Sequence, residues 1–206
     1  MAKSKSSQRW LREHFNDEYV KKSQKEGFRS RAVYKLKEIQ ERDKILRPGM
    51  KIVDLGAAPG GWSQYAVKEL GKKGRIFALD LLAIDPIENV EFIQGDFTED
   101  NIYQQLMDCL EGQLIDLVIS DIAPNLSGVK SVDQPKMVYL AELALDFSLQ
   151  VLTPKGCFLT KIFQGEGVEQ YYQTLRKHFS SVVTRKPKAS RPRSREVYIL
   201  AKGLKV

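Results

Sequence analysis

The chain has 206 residues, 42% of them apolar and 29% charged, which suits one globular core with appendages. No run approaches the roughly 18–20 uninterrupted apolar residues that a membrane span needs, and the basic start MAKSKSSQRW lacks an apolar signal core, so a cytoplasmic protein with no membrane attachment is expected. Cys109, Cys157, His14 and His178 fit neither a disulfide framework nor a metal cluster, and no metal cofactor is expected.

The net charge of +7 is unevenly distributed: residues 1–47 carry +7, residues 48–184 carry −7, and residues 185–206 carry +7. One basic cluster reads as a solvated helix. Two of them flanking an acidic middle, one the arginine-dense RKPKASRPRSR, suit a phosphate-rich partner, because clustered cations gain from the counterions that nucleic acid releases. RNA is the leading candidate.

In chain order, residues 9–26 form an amphipathic helix pattern (Trp10, Leu11, Phe15, Tyr19, Val20) ended by Gly27, and Ser30 is placed to cap a second helix carrying Ala32, Val33, Leu36 and Ile39. Pro48-Gly49 closes this basic helical extension, 1–47, ahead of a catalytic domain over 48–206. Strand patterns follow at 51–55, 75–80, 90–94, 114–120, 156–163, 181–185 and 195–201, with helical patterns near 61–70, 99–110, 135–152 and 167–179. Apolar strands alternating with helices predict a parallel α/β sheet covered on both faces; the last strand, with no helix before it, is expected to enter antiparallel.

DLGAAPGGWSQY, residues 54–65, joins the first strand of this sheet to a helix, and such glycine-rich turns hold cofactors in open α/β sheets. It departs from the dinucleotide fingerprint: Gly56, Ala58 and Gly61 put alanine at the second glycine position and add Pro59 and Gly60. Asp80 ends the second strand, where a carboxylate could hold ribose hydroxyls of either NAD or S-adenosylmethionine. Asp96 follows the third strand, where an adenine amino group would find an acceptor. Each alone could equally be a turn or cap residue. Asp121 follows the fourth strand, and Lys161 lies in the apolar strand FLTKIF, where an unpaired lysine would be expensive to bury. Glu196 begins the antiparallel strand, so Asp121, Lys161 and Glu196 meet at one sheet edge. Lys35 alone is one lysine among many on a helix.

The segments RWLREHF, SRAVYKLKEI, DLGAAPGGWSQY, SDIAPNLSG, KIFQGEG and SREVYI together resemble the bacterial FtsJ/RrmJ family of 23S ribosomal RNA uridine 2′-O-methyltransferases, across nearly the whole chain. The resemblance implies a Rossmann-like S-adenosylmethionine-dependent methyltransferase fold, with a seven-stranded, mostly parallel sheet whose last strand is antiparallel. It implies a catalytic tetrad at Lys35, Asp121, Lys161 and Glu196, and S-adenosylmethionine contacts at Gly60, Trp62, Asp80, Asp96 and Asp121. The implied substrate is the A-loop of 23S ribosomal RNA in the large ribosomal subunit, handled by a monomer. Arg29, Arg31, Arg191, Arg193 and Arg195 are expected to contact the RNA phosphates.

The chemistry suits these residue types. A ribose 2′-hydroxyl must lose its proton as it attacks the sulfonium methyl in line, so the site needs alignment and a base, and no metal. Lys161 can be that base only when neutral; desolvation and Lys35 favour the neutral amine, while Asp121 and Glu196 oppose it and orient it. Amino-group methylation of bases uses an Asn/Asp-Pro-Pro-aromatic turn that SDIAPN lacks, and C5-methylation needs a nucleophilic cysteine. Two alternatives remain from the residues alone. An NAD-dependent oxidoreductase leaves the basic ends unexplained, and a non-catalytic RNA-binding or assembly protein leaves Lys161 unexplained.

Overall fold

The computed structural model describes residues 17–205. Its centre is a seven-stranded sheet ordered β3-β2-β1-β4-β5-β7-β6. The strands are β1 (Lys51–Leu55), β2 (Arg75–Asp80), β3 (Val90–Gln94), β4 (Ile115–Ser120), β5 (Leu152–Phe163), β6 (Phe179–Arg185) and β7 (Glu196–Leu204). The pairs from β3 through β5 are parallel, and β7 is inserted antiparallel between β5 and β6. The expected strand direction holds. The central strands are apolar on both faces, as a sheet with two covered faces requires: Ile52, Val53, Leu55, Phe77, Ala78, Leu117, Val118 and Ile119 are all buried.

One face carries α4 (Asp100–Leu110), α5 (Lys130–Val151) and α6 (Val168–His178), packed through Leu106, Leu110, Leu145, Phe147, Tyr171 and Leu175. The other carries α2 (Val33–Asp43) and α3 (Gly61–Leu70), packed through Val33, Leu36, Ile39, Trp62, Ala66 and Leu70 onto Ile52, Leu159, Tyr198 and Leu200. Helix α2 is therefore built into the core, where the sequence suggests an extension ahead of it. Within the described residues the 9–26 pattern is helix α1 (Glu18–Lys25); residues 9–16 of that pattern, with Trp10, Leu11 and Phe15, lie outside them. Asp17 caps α1 by accepting from the Tyr19 amide at 3.0 Å.

Three of the boundaries that differ from expectation bear on the packing. Ala32, not Ser30, is the N-cap of α2, and Ser30 contributes its main-chain carbonyl to the Val33 amide. Helix α5 starts at Lys130, so Pro135 lies inside it rather than in its first turn, where proline is tolerated best. Strand β5 begins at Leu152, directly after α5, so Thr153, Pro154 and Lys155 are strand where a loop is expected; an irregularity between Ile115 and Leu117 in the β4–β5 register absorbs them.

Candidate active site

The carboxyl ends of β1, β2 and β4 and the loop after β3 enclose a cavity of about 390 Å³ lined by Gly56, Ala58, Asp80, Asp96, Asp121 and Asn125, with Leu79, Ile122, Pro124 and Leu140 as apolar wall. This is the crevice where strand order reverses in a doubly wound sheet. The glycines have physical reasons. Gly56 has φ +78°, and a Cβ there would lie 2.7 Å from the Ile122 amide nitrogen, so only glycine lets the turns after β1 and β4 meet. Gly60 has φ +99° and starts α3, and a Cβ on it would lie 2.9 Å from Arg29 Nη1.

Asp80 accepts from the Ala58 amide at 2.8 Å through one oxygen and from the Leu82 amide at 2.9 Å through the other, fixing the glycine turn against the end of β2. Asp96 accepts from the amide and hydroxyl of Thr98 at 2.9 and 2.7 Å. Both carboxylates retain lone pairs for a ligand. Gly60 and Trp62 do not line the cavity. Trp62 is 3% exposed, its indole donates to the Ala32 carbonyl at 2.8 Å and its ring packs 5.6 Å from Tyr198, so its side chain is core.

Beneath the turn, Asp54 is fully buried and accepts from the Ser63 hydroxyl at 2.6 Å, while its Oδ1 has no hydrogen-bond partner. Burial pushes its carboxyl up to about 7, against the Ser63 bond, with Asp121 and Asp80 adding repulsion.

The antiparallel register places the second cluster. Lys161 pairs with Tyr198 and Phe163 with Glu196, so Lys161, Tyr198 and Glu196 share the face that α2 covers. Lys161 Nζ lies 3.0 Å from Asp121 Oδ1 and also donates to the Asp121 main-chain carbonyl. Lys35, reaching down from α2, lies 2.7 Å from Glu196 Oε1. Tyr198 joins the two pairs: its hydroxyl donates to Asp121 Oδ1 at 2.7 Å and its ring centroid is 5.7 Å from Lys35 Nζ. Burial works against ionised Asp121, yet Lys161 and then Lys35 outweigh it and hold the carboxyl below the usual range. Glu196 is likewise held down by Lys35 against its own burial. Lys35, Asp121, Lys161 and Glu196, spaced far apart in sequence, are one buried charge network.

This network has an opening on each side. Asp121 lines the cavity, while Lys35 and Glu196 line a separate cleft of about 440 Å³ with Arg31, Arg191, Arg193 and Ser194. The expected arginines divide. Arg31 and Arg191 border the cleft, both near Asp17 (3.0 and 3.8 Å), and Arg31 also donates to the Ala189 carbonyl at 2.6 Å. Arg193 lines it as well. Arg195 does not; it donates to the Gln164 carbonyl at 3.4 Å. Arg29 donates to the carbonyls of Asp85 and Pro86 at 2.6 and 3.0 Å, strapping that loop to the glycine turn.

Residues not singled out in the sequence also shape the site. Tyr198, an aromatic in an apolar strand, reads as core, and only the strand register shows that its hydroxyl faces Asp121. Asp133, buried in the first turn of α5, accepts from the amides of Ser127 and Gly128 and the Ser127 hydroxyl at 2.8–3.0 Å, pinning the loop after Asn125. Lys186 donates to the Ser194 and Glu196 carbonyls and fixes the start of β7.

An open α/β sheet with an acid-lined crevice at its switch point and a buried lysine–carboxylate network beside it defines a group-transfer enzyme of the methyltransferase class. A family model for FtsJ-like methyltransferases matches residues 28–204, and the chain belongs to that family. It is 56% identical, over the full length of both chains, to a protein of Hydrogenovibrio crunogenus named ribosomal RNA large subunit methyltransferase E. It is 58% identical to one of the same name from Pseudomonas aeruginosa, covering 100% of this chain and 99% of that one. Among solved structures, a crystal structure described as a ribosomal RNA methyltransferase from Plasmodium falciparum is similar with a TM-score of 0.78 at 31% identity, covering 86% of this chain and 98% of that one.

Proposed function

We propose that this protein methylates the 2′-hydroxyl of a uridine ribose in the A-loop of 23S ribosomal RNA, using S-adenosylmethionine and acting as a cytoplasmic monomer on the large ribosomal subunit. The names of its relatives support ribosomal RNA as substrate. The observation that carries the reading is the position of the charge network: Asp121 faces the acid-lined cavity and Lys35 and Glu196 face the arginine-lined cleft, so the network lies where a cofactor on one side would meet RNA on the other.

The cavity fits the cofactor's donor set: Asp80 and Asp96 offer acceptors to ribose hydroxyls and an adenine amine, Asp121 offers negative charge to a cationic ligand, and the apolar wall suits a purine. S-adenosylmethionine supplies a methyl group on a sulfonium, with a neutral thioether as leaving group. Lys161 in its neutral form takes the 2′-hydroxyl proton. Asp121 and its carbonyl hold the Lys161 amine in place, and the Tyr198 hydroxyl holds Asp121. Lys35, anchored by Glu196, stands at the cleft side to position the ribose. Gly60 and Trp62, which do not line the cavity, act by shaping the glycine turn at the start of α3. Arg31, Arg191 and Arg193 bind RNA phosphates at the cleft; Arg29 and Arg195 contribute at its margins.

Mapping alkali-resistant 2′-O-methyl positions in ribosomal RNA from cells with and without the protein tests this. One uridine of the large-subunit RNA is expected to lose its methyl group. An unchanged map, or loss of a base methyl instead, would overturn it.

A further inference from the structure

A second concavity, of about 570 Å³, lies between α1, α2 and the segment 186–195, on the far side of α2 from the charge network. Four cations line it, Lys22, Lys37, Arg42 and Lys188, against two carboxylates. Glu38 is already used: its oxygens accept from the Lys188 and Ala189 amides at 2.6 and 2.9 Å. Glu41 is the other. Lys22 and Lys37 share Glu26 only at 4.0 and 3.8 Å, and neither Arg42 nor Lys188 has a carboxylate within 4.0 Å among the described residues. The wall includes the Tyr19 and Tyr34 rings, 5.4 Å apart. The Tyr34 hydroxyl is buried without a hydrogen bond of good geometry, and burial, with the Glu26 carboxylate close by, keeps its proton on.

The same short segment borders both openings. Lys188 lines this concavity and Arg191 and Arg193 line the catalytic cleft, while α2 carries Lys35 into the cleft and Lys37 and Arg42 into the concavity. Chain reach limits the distance from Lys188 to Arg193 to about 17 Å. We infer that the concavity is a subsite for the RNA backbone a few nucleotides away from the modified ribose, binding phosphate through Arg42 and Lys188. This rests on the RNA-methylation reading above.

Steady-state methyl transfer to isolated large ribosomal subunits, with affinity for them measured across salt concentrations, tests it. The double variant Arg42→Ala/Lys188→Ala changes two exposed side chains. It should raise KM for RNA about tenfold, equivalent to about 1.4 kcal/mol, with kcat and cofactor affinity kept. It should also lower the slope of log affinity against log salt by about 1.4–1.8, since each lost phosphate contact removes about 0.7–0.9. Lys72→Ala/Lys73→Ala, the same charge change in the exposed turn between α3 and β2, should leave KM and slope unaltered. Wild-type KM and slope in the first variant, or an equal shift in the second, would overturn the subsite alone. No methyl transfer to RNA by the unaltered protein would overturn the functional reading, and this inference with it.

Discussion

Replacing Lys161 with alanine removes the Nζ that lies 3.0 Å from Asp121 Oδ1 and donates to its carbonyl. If that nitrogen carries the proton away from the ribose hydroxyl, methyl transfer should slow by about 10²–10⁴, or about 2.7–5.5 kcal/mol in the barrier. The same change strands a buried carboxylate, and breaking a buried ion pair costs about 3–5 kcal/mol of stability in general. Here the low end applies, because Asp121 keeps the Tyr198 hydroxyl at 2.7 Å, the field of Lys35, and some solvent access, its side chain being 18% exposed. Lys161→Met, which fills the space without a base, separates the two effects. Methyl incorporation into isolated large subunits at saturating cofactor gives kcat, calorimetry gives cofactor affinity, and thermal unfolding confirms the fold. Cofactor affinity should stay within about tenfold in both variants. Near-normal turnover in either folded variant would refute the assignment, and a loss of affinity matching the loss of rate would move Lys161 into the cofactor site instead.

Asp80→Ala should weaken S-adenosylmethionine binding by about 1.5–3 kcal/mol per lost charged hydrogen bond while RNA affinity holds; unchanged cofactor affinity by calorimetry would count against a ribose contact. In Tyr198→Phe, Asp121 loses one of the bonds that hold its carboxyl ionised and in place beside Lys161, so kcat should fall about tenfold with cofactor affinity kept. Full kcat in the folded variant would leave Tyr198 as packing only. Asp54 is raised when folded, to about 7, so its penalty is absent below the usual aspartate range, grows as pH rises from about 4, and is complete above about 7. Asp54→Asn should flatten that fall in Tm, and an identical Tm–pH curve in the variant would mean the carboxyl is not raised.

Much of this was legible because strand ends are. Short apolar runs closed by Asp80, Asp121 or a glycine turn mark where a parallel strand stops, and in a doubly wound sheet all those stops face one crevice. Lys161 stood out because a lysine in FLTKIF has to find a partner. The antiparallel entry of REVYILA followed from the missing helix and put Glu196 on the same edge. What escaped notice depends on direction rather than residue type. Nothing in GGW says that the indole turns away from the cavity to the Ala32 carbonyl, nor in SREVYI that the tyrosine hydroxyl reaches a carboxylate three strands back in the chain. The charge of Arg29 is visible in sequence, while the Asp85 and Pro86 carbonyls it binds are not. The pattern near 135–152 misses the first turn of α5, which starts at Lys130 and carries Pro135 inside it.

The insertion of β7 between β5 and β6 ties the site to the last strand of the sheet to be made. Strand β6 pairs only with β7, and β5 offers its free edge only to β7, so both wait for the final residues to be made. Synthesis delivers the N-terminal part first, and Lys35 is then a lysine with no Glu196 to meet. A truncated chain that keeps every cavity acid, from Asp80 to Asp121, still lacks the partner of Lys35, the hydroxyl on Asp121 and the wall carrying Arg191 and Arg193. Such a fragment could hold the acid-lined cavity but not the charge network, which closes only when β7 is in place.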